Sequence, residues 1–172
     1  MAPTILWPNH TLACEAHLPL ALDLKHGDKI IVNGAVIENS GHNTQILIHN
    51  DAAVLRGKEI MIEDTANTPA SRAYFALQCA YVFPSSRDQY LRAFDRLLAD
   101  YLDAAPSSAP VGKEILDKLQ GGSLYGALKA ARKLVAHERK VMERLGLEVT
   151  DHGFEEVAPP PPTPAAAQPG RR

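Results

Sequence analysis

The chain has 172 residues, of which 45% are hydrophobic and 22% are charged, the composition of an ordinary soluble globular protein. Its formal net charge is −2, so no global positive field holds it on nucleic acid or on an anionic membrane. Any site for a polyanion must therefore come from a local patch of basic residues.

The N-terminal segment has no lysine or arginine before Lys25, and prolines interrupt its apolar residues, so it lacks the pattern of a secretory signal. The sequence has no run of about 18 apolar residues, the length that crossing a bilayer needs. The cysteines, Cys14 and Cys79, have no metal-type spacing and favour a reducing compartment. These features predict a cytoplasmic protein with no membrane contact, and residues 1–17 are predicted to form a flexible extension.

Residues 18–66 alternate between apolar and polar positions with a period close to two, and turn-forming Gly, Asn and Asp recur every few residues. This pattern predicts four or five short antiparallel strands with one buried and one solvated face. In GDKIIVNGAVIENSG, two β-branched runs flank Asn33-Gly34, a pair typical of tight hairpin turns. This hairpin is predicted to supply much of the core through Ile30, Ile31, Val36 and Ile37.

The pattern changes after the last predicted strand, AAVLRGKEIMIE, which Gly57 interrupts. Thr68 followed by Pro69 predicts the start of a helix that continues to Phe83. A threonine hydroxyl caps free N–H groups, and proline lacks the N–H that the first helical turn leaves unpaired.

Three further segments have helical periodicity, with Ser85 or Ser86 as the predicted cap of the first of them. Because all the helices follow the strands, the sequence predicts an α+β fold rather than an alternating parallel α/β fold. We expect a β-rich lobe at residues 18–66, a helical lobe packed with it at 67–146, and a disordered Pro/Ala-rich tail at 147–172.

Two groups of basic residues are candidate binding sites. The first lies around the predicted turns of the β-rich lobe, where antiparallel pairing would bring its members onto one rim. Lysine and arginine there can neutralise phosphates or reach unpaired bases, and the alternative is an ordinary sheet edge protected by charge. The members of this first basic group are Lys25, His26, Lys29, Arg56 and Lys58.

The second basic group lies on the last predicted helix, opposite its apolar stripe. Such a face can follow a phosphate backbone or bind a partner helix, and a simply solvated face is the commoner explanation. Its members are Lys129, Arg132, Lys133, Arg139 and Lys140.

The sequence carries no catalytic signature of the G-x-S-x-G, Walker, dinucleotide-binding or H-E-x-x-H type. His10, Cys14 and His17 are residue types that bind zinc, but they lie in a segment that prolines interrupt, and a fourth ligand is not evident. We therefore predict a protein that is not an enzyme and that uses no cofactor or metal.

Three stretches of the chain resemble the FlbT family of flagellin repressors of α-proteobacteria, over about residues 18–145. They are LKHGDKIIVNGAVIEN, ILIHNDAAVLRGKEIMIEDTANTPASRAYFALQ and the helix that follows. The resemblance implies a post-transcriptional regulator that binds the 5′ untranslated region of flagellin mRNA, blocks its translation and promotes its decay in step with flagellum assembly. It also implies a companion protein, FlaF, that acts in the opposite sense.

An adaptor that binds flagellin or FlaF, and affects mRNA only indirectly, is the alternative function. The net charge of −2 favours this alternative, because dedicated RNA-binding proteins are usually more basic. The sequence leaves open whether copies of the chain form a homo-oligomer.

The β-rich half is also similar to the carbon storage regulator CsrA family of RNA-binding proteins. Gly27-Asp28 matches the turn after that family's first strand, and Arg56 matches a position of its last strand that contacts RNA. Asp23 and Leu24 stand near positions where the family has basic residues, and Gly57 and Lys58 replace an expected acid. The resemblance implies that Arg56 contacts RNA.

Overall fold

A computed structural model describes residues 18–147. Within them, five strands precede four α-helices, which confirms the predicted α+β fold. The predicted N-terminal extension, the candidate metal ligands within it and the predicted tail beyond residue 147 lie outside the described residues. Among the helices of residues 18–147, none combines the length and the apolar character that crossing a membrane needs.

The strands form two small antiparallel sheets. In the first, β1 (Leu20–Leu24) pairs with β4 (Thr44–Ile48). In the second, β2 (Lys29–Val32) lies between β3 (Ala35–Glu38) and β5 (Val54–Arg56). The first sheet packs on the second through a cluster of buried leucine and isoleucine side chains from β1 and β2.

The predicted hairpin turn forms at Asn33-Gly34. Both residues have positive φ, 48° and 89°, the combination that a two-residue type I′ turn requires. The Asn33 side-chain oxygen accepts a hydrogen bond from the Ala53 N–H at 2.8 Å, which ties the turn to the chain that enters β5. A Cβ on Gly34 would lie 2.6 Å from Phe83 Cε1, so the close approach of the first helix also requires glycine.

The prediction that this hairpin supplies much of the core is wrong for its second strand. Ile30 is fully buried between the sheets, and Ile31 packs against the helical core. Val36 and Ile37 are 67% and 42% exposed. They lie on β3, an edge strand that pairs with β2 on one side and with no other strand of residues 18–147 on the other.

The last strand is shorter than predicted. β5 ends at Arg56, and the chain then forms two 3₁₀ turns, Gly57–Glu59 and Glu63–Thr65. Gly57 has φ 48°, a conformation that ends extended backbone and that side chains disfavour. The residues around Glu59 are therefore free to turn towards the helices.

The helical half contains α1 (Pro69–Val82), α2 (Arg87–Ala104), α3 (Ala109–Gln120) and α4 (Leu124–Arg144). Thr68 caps α1 as predicted, because its hydroxyl accepts a hydrogen bond from the Ser71 N–H. Ser86 precedes α2 as predicted, but its side chain makes no capping hydrogen bond. Its ψ is 13° rather than the extended value that directs a capping hydroxyl at the free N–H groups.

One hydrophobic core joins the β-rich half to the helices. Leu55 of β5 and Met61 lie in the same buried cluster as Leu77 of α1, Phe94 of α2 and Leu134 of α4. Helix α1 is the centre of this arrangement and is buried on most of its surface.

A buried amide holds the segment between β5 and α1 in place. The Gln78 side chain accepts a hydrogen bond from the Met61 N–H and donates one to the Met61 carbonyl, both at 2.8 Å. Both residues are buried. A side chain of α1 therefore satisfies backbone groups that a neighbouring strand would otherwise pair.

Candidate nucleic-acid interface

The 3₁₀ turn after β5 places Glu59 where β5, α1 and α4 meet. The Glu59 carboxylate accepts a hydrogen bond from the Tyr125 hydroxyl at 2.6 Å and a longer one from the Arg56 N–H at 3.4 Å. The Glu59 carbonyl accepts a hydrogen bond from the Tyr74 hydroxyl at 2.7 Å. One acidic residue thus fixes the positions of two tyrosines relative to β5.

An aromatic surface lies beside this turn. Tyr125 is 39% exposed, and its ring centroid is 5.7 Å from that of Tyr81. The Lys129 Nζ lies over the Tyr125 ring, 5.6 Å from the centroid. The Tyr81 hydroxyl accepts a hydrogen bond from the Val54 N–H at 3.3 Å, which holds this ring against β5.

Charges from both basic groups act on Tyr125 and Tyr74, the two tyrosines that donate hydrogen bonds to Glu59. The hydrogen bond to Glu59 and, next, burial raise the pKa of Tyr125 to about 12, and the positive charge of Arg56 opposes that rise. Burial raises the pKa of Tyr74, and the charge of Arg132 opposes it. Both hydroxyls therefore stay protonated at neutral pH and remain donors to Glu59.

Lys129 from the second basic group thus lies over the exposed Tyr125 ring, and the charge of Arg56 from the first group acts on the same tyrosine. We call Arg56, Tyr81, Tyr125 and Lys129 the tyrosine patch. Aromatic rings next to cations form the kind of surface on which unpaired bases stack.

The rest of the first basic group lies elsewhere. Lys29 and Lys58 line a common groove, and Lys29 Nζ is 3.5 Å from a carboxylate oxygen of a β3 glutamate. Lys25 and His26 lie on the β1–β2 turn, where His26 Nδ1 is 3.0 Å from the Gly41 carbonyl oxygen. Of this group, Arg56 is the residue whose charge acts on Tyr125.

The second basic group is divided along α4. Lys129 lies in the tyrosine patch. The charge of Arg132 opposes the rise that burial causes in the pKa of Tyr74. Lys133 Nζ is 2.8 Å from both carboxylate oxygens of a glutamate on α3, and Arg139 Nε is 3.3 Å from a glutamate one turn further along α4. Lys140 is exposed nearer the end of the helix.

Sequence reasoning missed Tyr81, Tyr125 and Glu59 as candidate site residues. Tyr81 lies near the end of the first predicted helix, where its spacing from other apolar residues indicates a core position, and Tyr125 follows the first residue of α4 without an evident role. The hydrogen bond between Tyr125 and Glu59 joins residues that are 66 positions apart, so local periodicity carries no signal for it.

A second surface feature is an apolar groove of about 630 Å³ between the β2–β3 hairpin and α1. Burial raises the pKa of Cys79, one of its lining residues, to about 11, so the thiol is protonated and unreactive at neutral pH. Residues 18–147 contain no cluster of three or more His, Cys, Asp or Glu side chains that could hold a metal ion. The apolar side chains of the groove include Ile31, Val36, Ile62, Phe75 and Phe83.

Comparison with known proteins identifies the family. The family model described as "Flagellar protein FlbT" matches residues 20–142. The "Probable flagellum biosynthesis repressor protein FlbT 1" of Bradyrhizobium diazoefficiens is 38% identical over 125 residues, which cover 72% of this chain and 85% of the relative.

Other relatives have similar names. The "Probable flagellum biosynthesis repressor protein FlbT" of Rhodopseudomonas palustris is 33% identical over 74% of this chain and 100% of its own length. The "Flagellum biosynthesis repressor protein FlbT" of Caulobacter vibrioides is 31% identical over 75% of this chain and 91% of its own length. No solved structure gives a significant match. The chain therefore belongs to the FlbT family of flagellar proteins.

Proposed function

We propose that the protein represses flagellin synthesis by binding the 5′ untranslated region of flagellin mRNA, blocking its translation and promoting its decay as the flagellum assembles. The names of its relatives, which describe repressors of flagellum biosynthesis, support the repressor role. The observation that supports direct RNA contact is the tyrosine patch, in which Lys129 of α4 lies over the exposed Tyr125 ring and the charge of Arg56 of β5 acts on the same tyrosine.

The patch has the chemistry that single-stranded RNA needs. An unpaired base stacks on the exposed Tyr125 ring, and such stacking contributes about 1–3 kcal/mol per base. Lys129 covers this ring in the free protein. Because its ammonium group is carried on a flexible four-carbon chain, it moves from the ring to a phosphate when a base takes its place. Arg56 supplies a second positive charge for the RNA backbone.

Replacing Tyr125 tests this proposal. Tyr125→Leu keeps an apolar side chain but removes the aromatic ring, and we expect it to weaken leader binding about 5-fold to 150-fold, the equivalent of losing one stacked base. Fluorescence anisotropy of a labelled flagellin leader RNA, titrated with the full chain at low salt, measures the effect.

Tyr125→Phe is the matched control. It keeps the ring and loses only the hydroxyl that donates to Glu59, so RNA affinity should stay close to that of the unaltered protein. If the Tyr125→Leu and unaltered proteins bind the leader RNA with equal affinity, and circular dichroism shows the fold intact, the tyrosine patch is not the RNA site. No binding by the unaltered protein at low salt would contradict direct contact.

The salt dependence should identify the cations that contact phosphate. Neutralising one phosphate of a single strand contributes about −0.7 to the slope of log affinity against log salt concentration. We expect Arg56→Ala and Lys129→Ala each to make the slope shallower by about 0.7. Lys140→Ala removes a cation of α4 outside the patch and should leave the slope unchanged, and an equal effect of Lys140→Ala would indicate non-specific attraction.

The apolar groove favours a second candidate function, an adaptor that binds flagellin or FlaF and acts on mRNA indirectly. Ile62 lines the groove and is 44% exposed. On this alternative, Ile62→Lys abolishes capture of purified flagellin or FlaF, whereas Leu47→Lys, on the exposed face of β4, does not. Capture that survives Ile62→Lys would contradict a groove-mediated adaptor.

A further inference from the structure

Within the part of the chain that the structure describes, strand β3 has an outer edge that no other strand pairs with. β2 pairs with one side of β3, and nothing else in residues 18–147 pairs with the other. All four β3 residues are exposed, including the large apolar side chains of Val36 and Ile37. Edge strands are usually guarded by lysine, proline, a bulge or a covering element. Here the one charged residue is Glu38, whose carboxylate lies 3.5 Å from Lys29 Nζ in the same sheet.

The register of the hairpin determines which backbone groups are free. The Asn39 N–H donates to the Asp28 carbonyl at 3.0 Å, and the Asn39 carbonyl accepts from the Gly27 N–H at 2.7 Å, so Asn39 directs both backbone groups to the strand that β3 pairs with. Because the backbone groups of successive residues in a strand point to alternate sides, Ala35 and Ile37 also direct their N–H and C=O groups to β2. Val36 and Glu38 direct theirs outward, away from the sheet.

We propose that β3 pairs with β3 of a second copy of this chain, antiparallel and centred on Val36. A two-fold axis perpendicular to the sheet sets each Val36 opposite its symmetry mate, and the N–H of each Val36 donates a hydrogen bond to the carbonyl of the other. Glu38 then pairs with Gly34 of the second copy. On the opposite face, the small side chain of Ala35 lies opposite the large one of Ile37.

The charges of the edge favour a second copy over a charged partner. Glu38 is already paired with Lys29, so the strand offers no free charge to an oppositely charged segment. In the proposed register the two Glu38 residues lie four positions apart along the strands, about 14 Å, and do not repel strongly. An in-register parallel pairing would instead place them side by side.

The pairing also fits the rest of the surface. Val36 lines the apolar groove, and its symmetry mate projects from the same face, so association removes apolar side chains from water. The two three-stranded sheets become one of six strands in which β5 remains at each outer edge. The tyrosine patch, which includes Arg56 of β5, therefore stays accessible in the dimer.

The molecular mass of the full chain in solution tests the proposal. Multi-angle light scattering should give twice the chain mass of 18.7 kDa for the unaltered protein. Val36→Pro removes an N–H that points away from β2, so the protomer keeps its own ladder while the dimer loses its central bonds; its mass should be that of one chain. Val36→Thr retains the N–H and a β-branched side chain and should remain dimeric.

Cysteine crosslinking tests the register. In a Cys14→Ser background, Val36→Cys should form an intermolecular disulfide on mild oxidation, because Cα atoms of a hydrogen-bonded pair are about 5.5 Å apart. Glu38→Cys, whose symmetry mate is about 14 Å away along the strands, should not. A monomeric unaltered protein at the highest accessible concentration, a dimer that survives Val36→Pro, or crosslinking at position 38 instead of 36 would each overturn the proposal.

Discussion

Replacing Glu138 with alanine is expected to lower the free energy of unfolding by about 3 kcal/mol. Glu138 lies on α4 and is 9% exposed. Its carboxylate accepts hydrogen bonds from the Thr68 hydroxyl and from the Ala70 N–H, the latter at 3.1 Å. These donors lie at the N-terminus of α1, where unpaired N–H groups and the helix dipole favour a negative charge.

The expected loss is large because the Ala70 N–H is buried and its acceptor, the Glu138 carboxylate, is charged. A hydrogen bond to a charged group contributes about 1.5–3 kcal/mol to stability. Removing the carboxylate also removes the cost of burying its charge, which offsets part of the stability lost with the two hydrogen bonds. Glu143→Ala on the same helix is the matched control. That carboxylate is exposed and pairs with Arg139 at 3.3 Å, so its loss should change stability by less than about 0.5 kcal/mol.

Urea denaturation followed by circular dichroism measures both variants. A similar loss for Glu138→Ala and Glu143→Ala would show that Glu138 does not hold α4 against α1. The consequence reaches the tyrosine patch, since Tyr81 lies on α1 and Tyr125 on α4. We therefore expect Glu138→Ala also to weaken RNA binding by a smaller factor than Tyr125→Leu.

Gln78→Leu is the second change with a large expected effect. It is expected to lower the free energy of unfolding by about 4 kcal/mol. Leucine fills much of the same space but leaves the buried N–H and carbonyl of Met61 without their partner. Each unsatisfied buried backbone group costs about 1–3 kcal/mol. The fold cannot easily relax, because Met61 lies in the core cluster shared with the helices.

Gln89→Leu provides the matched control for this substitution. Gln89 lies on α2 and is exposed, so the same chemical change there should alter stability by less than about 0.5 kcal/mol. Hydrogen exchange gives a local measurement, and the Met61 amide should lose protection in Gln78→Leu. Protection of that amide equal to that in the unaltered protein would contradict the bridging role of Gln78.

Much of the fold can be predicted from local sequence pattern, because turns, helix starts and alternating strands depend mainly on neighbouring residues. The period-two alternation, the Asn33-Gly34 pair and the Thr68-Pro69 start each predict an element that the structure confirms. The same alternation fails for Val36 and Ile37, since it does not say which strand will lie at an edge. The short β5 has a similar cause, because the segment after Gly57 pairs its Met61 backbone groups with Gln78 of α1, a partner that local alternation does not reveal.

The candidate site was less accessible to sequence reasoning because it depends on long-range contacts. Basic residues are visible in the sequence, but their neighbours are not. Arg56 and Lys129 belong to separate predicted groups and act on the same tyrosine because Tyr125 of α4 bonds to Glu59, just after the end of β5. The remaining predicted RNA contacts, at Lys25, His26, Lys29 and Lys58, stay predictions that lie outside the tyrosine patch.

Photocrosslinking of the full chain to a flagellin leader RNA, with mass spectrometry of the linked peptides, tests most directly whether RNA binds at the tyrosine patch. We predict that the nucleotide adducts fall on the peptides that contain Tyr125 and Tyr81, and that excess unlabelled leader suppresses them. Adducts confined to the β1–β2 turn around Lys25 and Lys29, or a complete absence of adducts, would contradict this account.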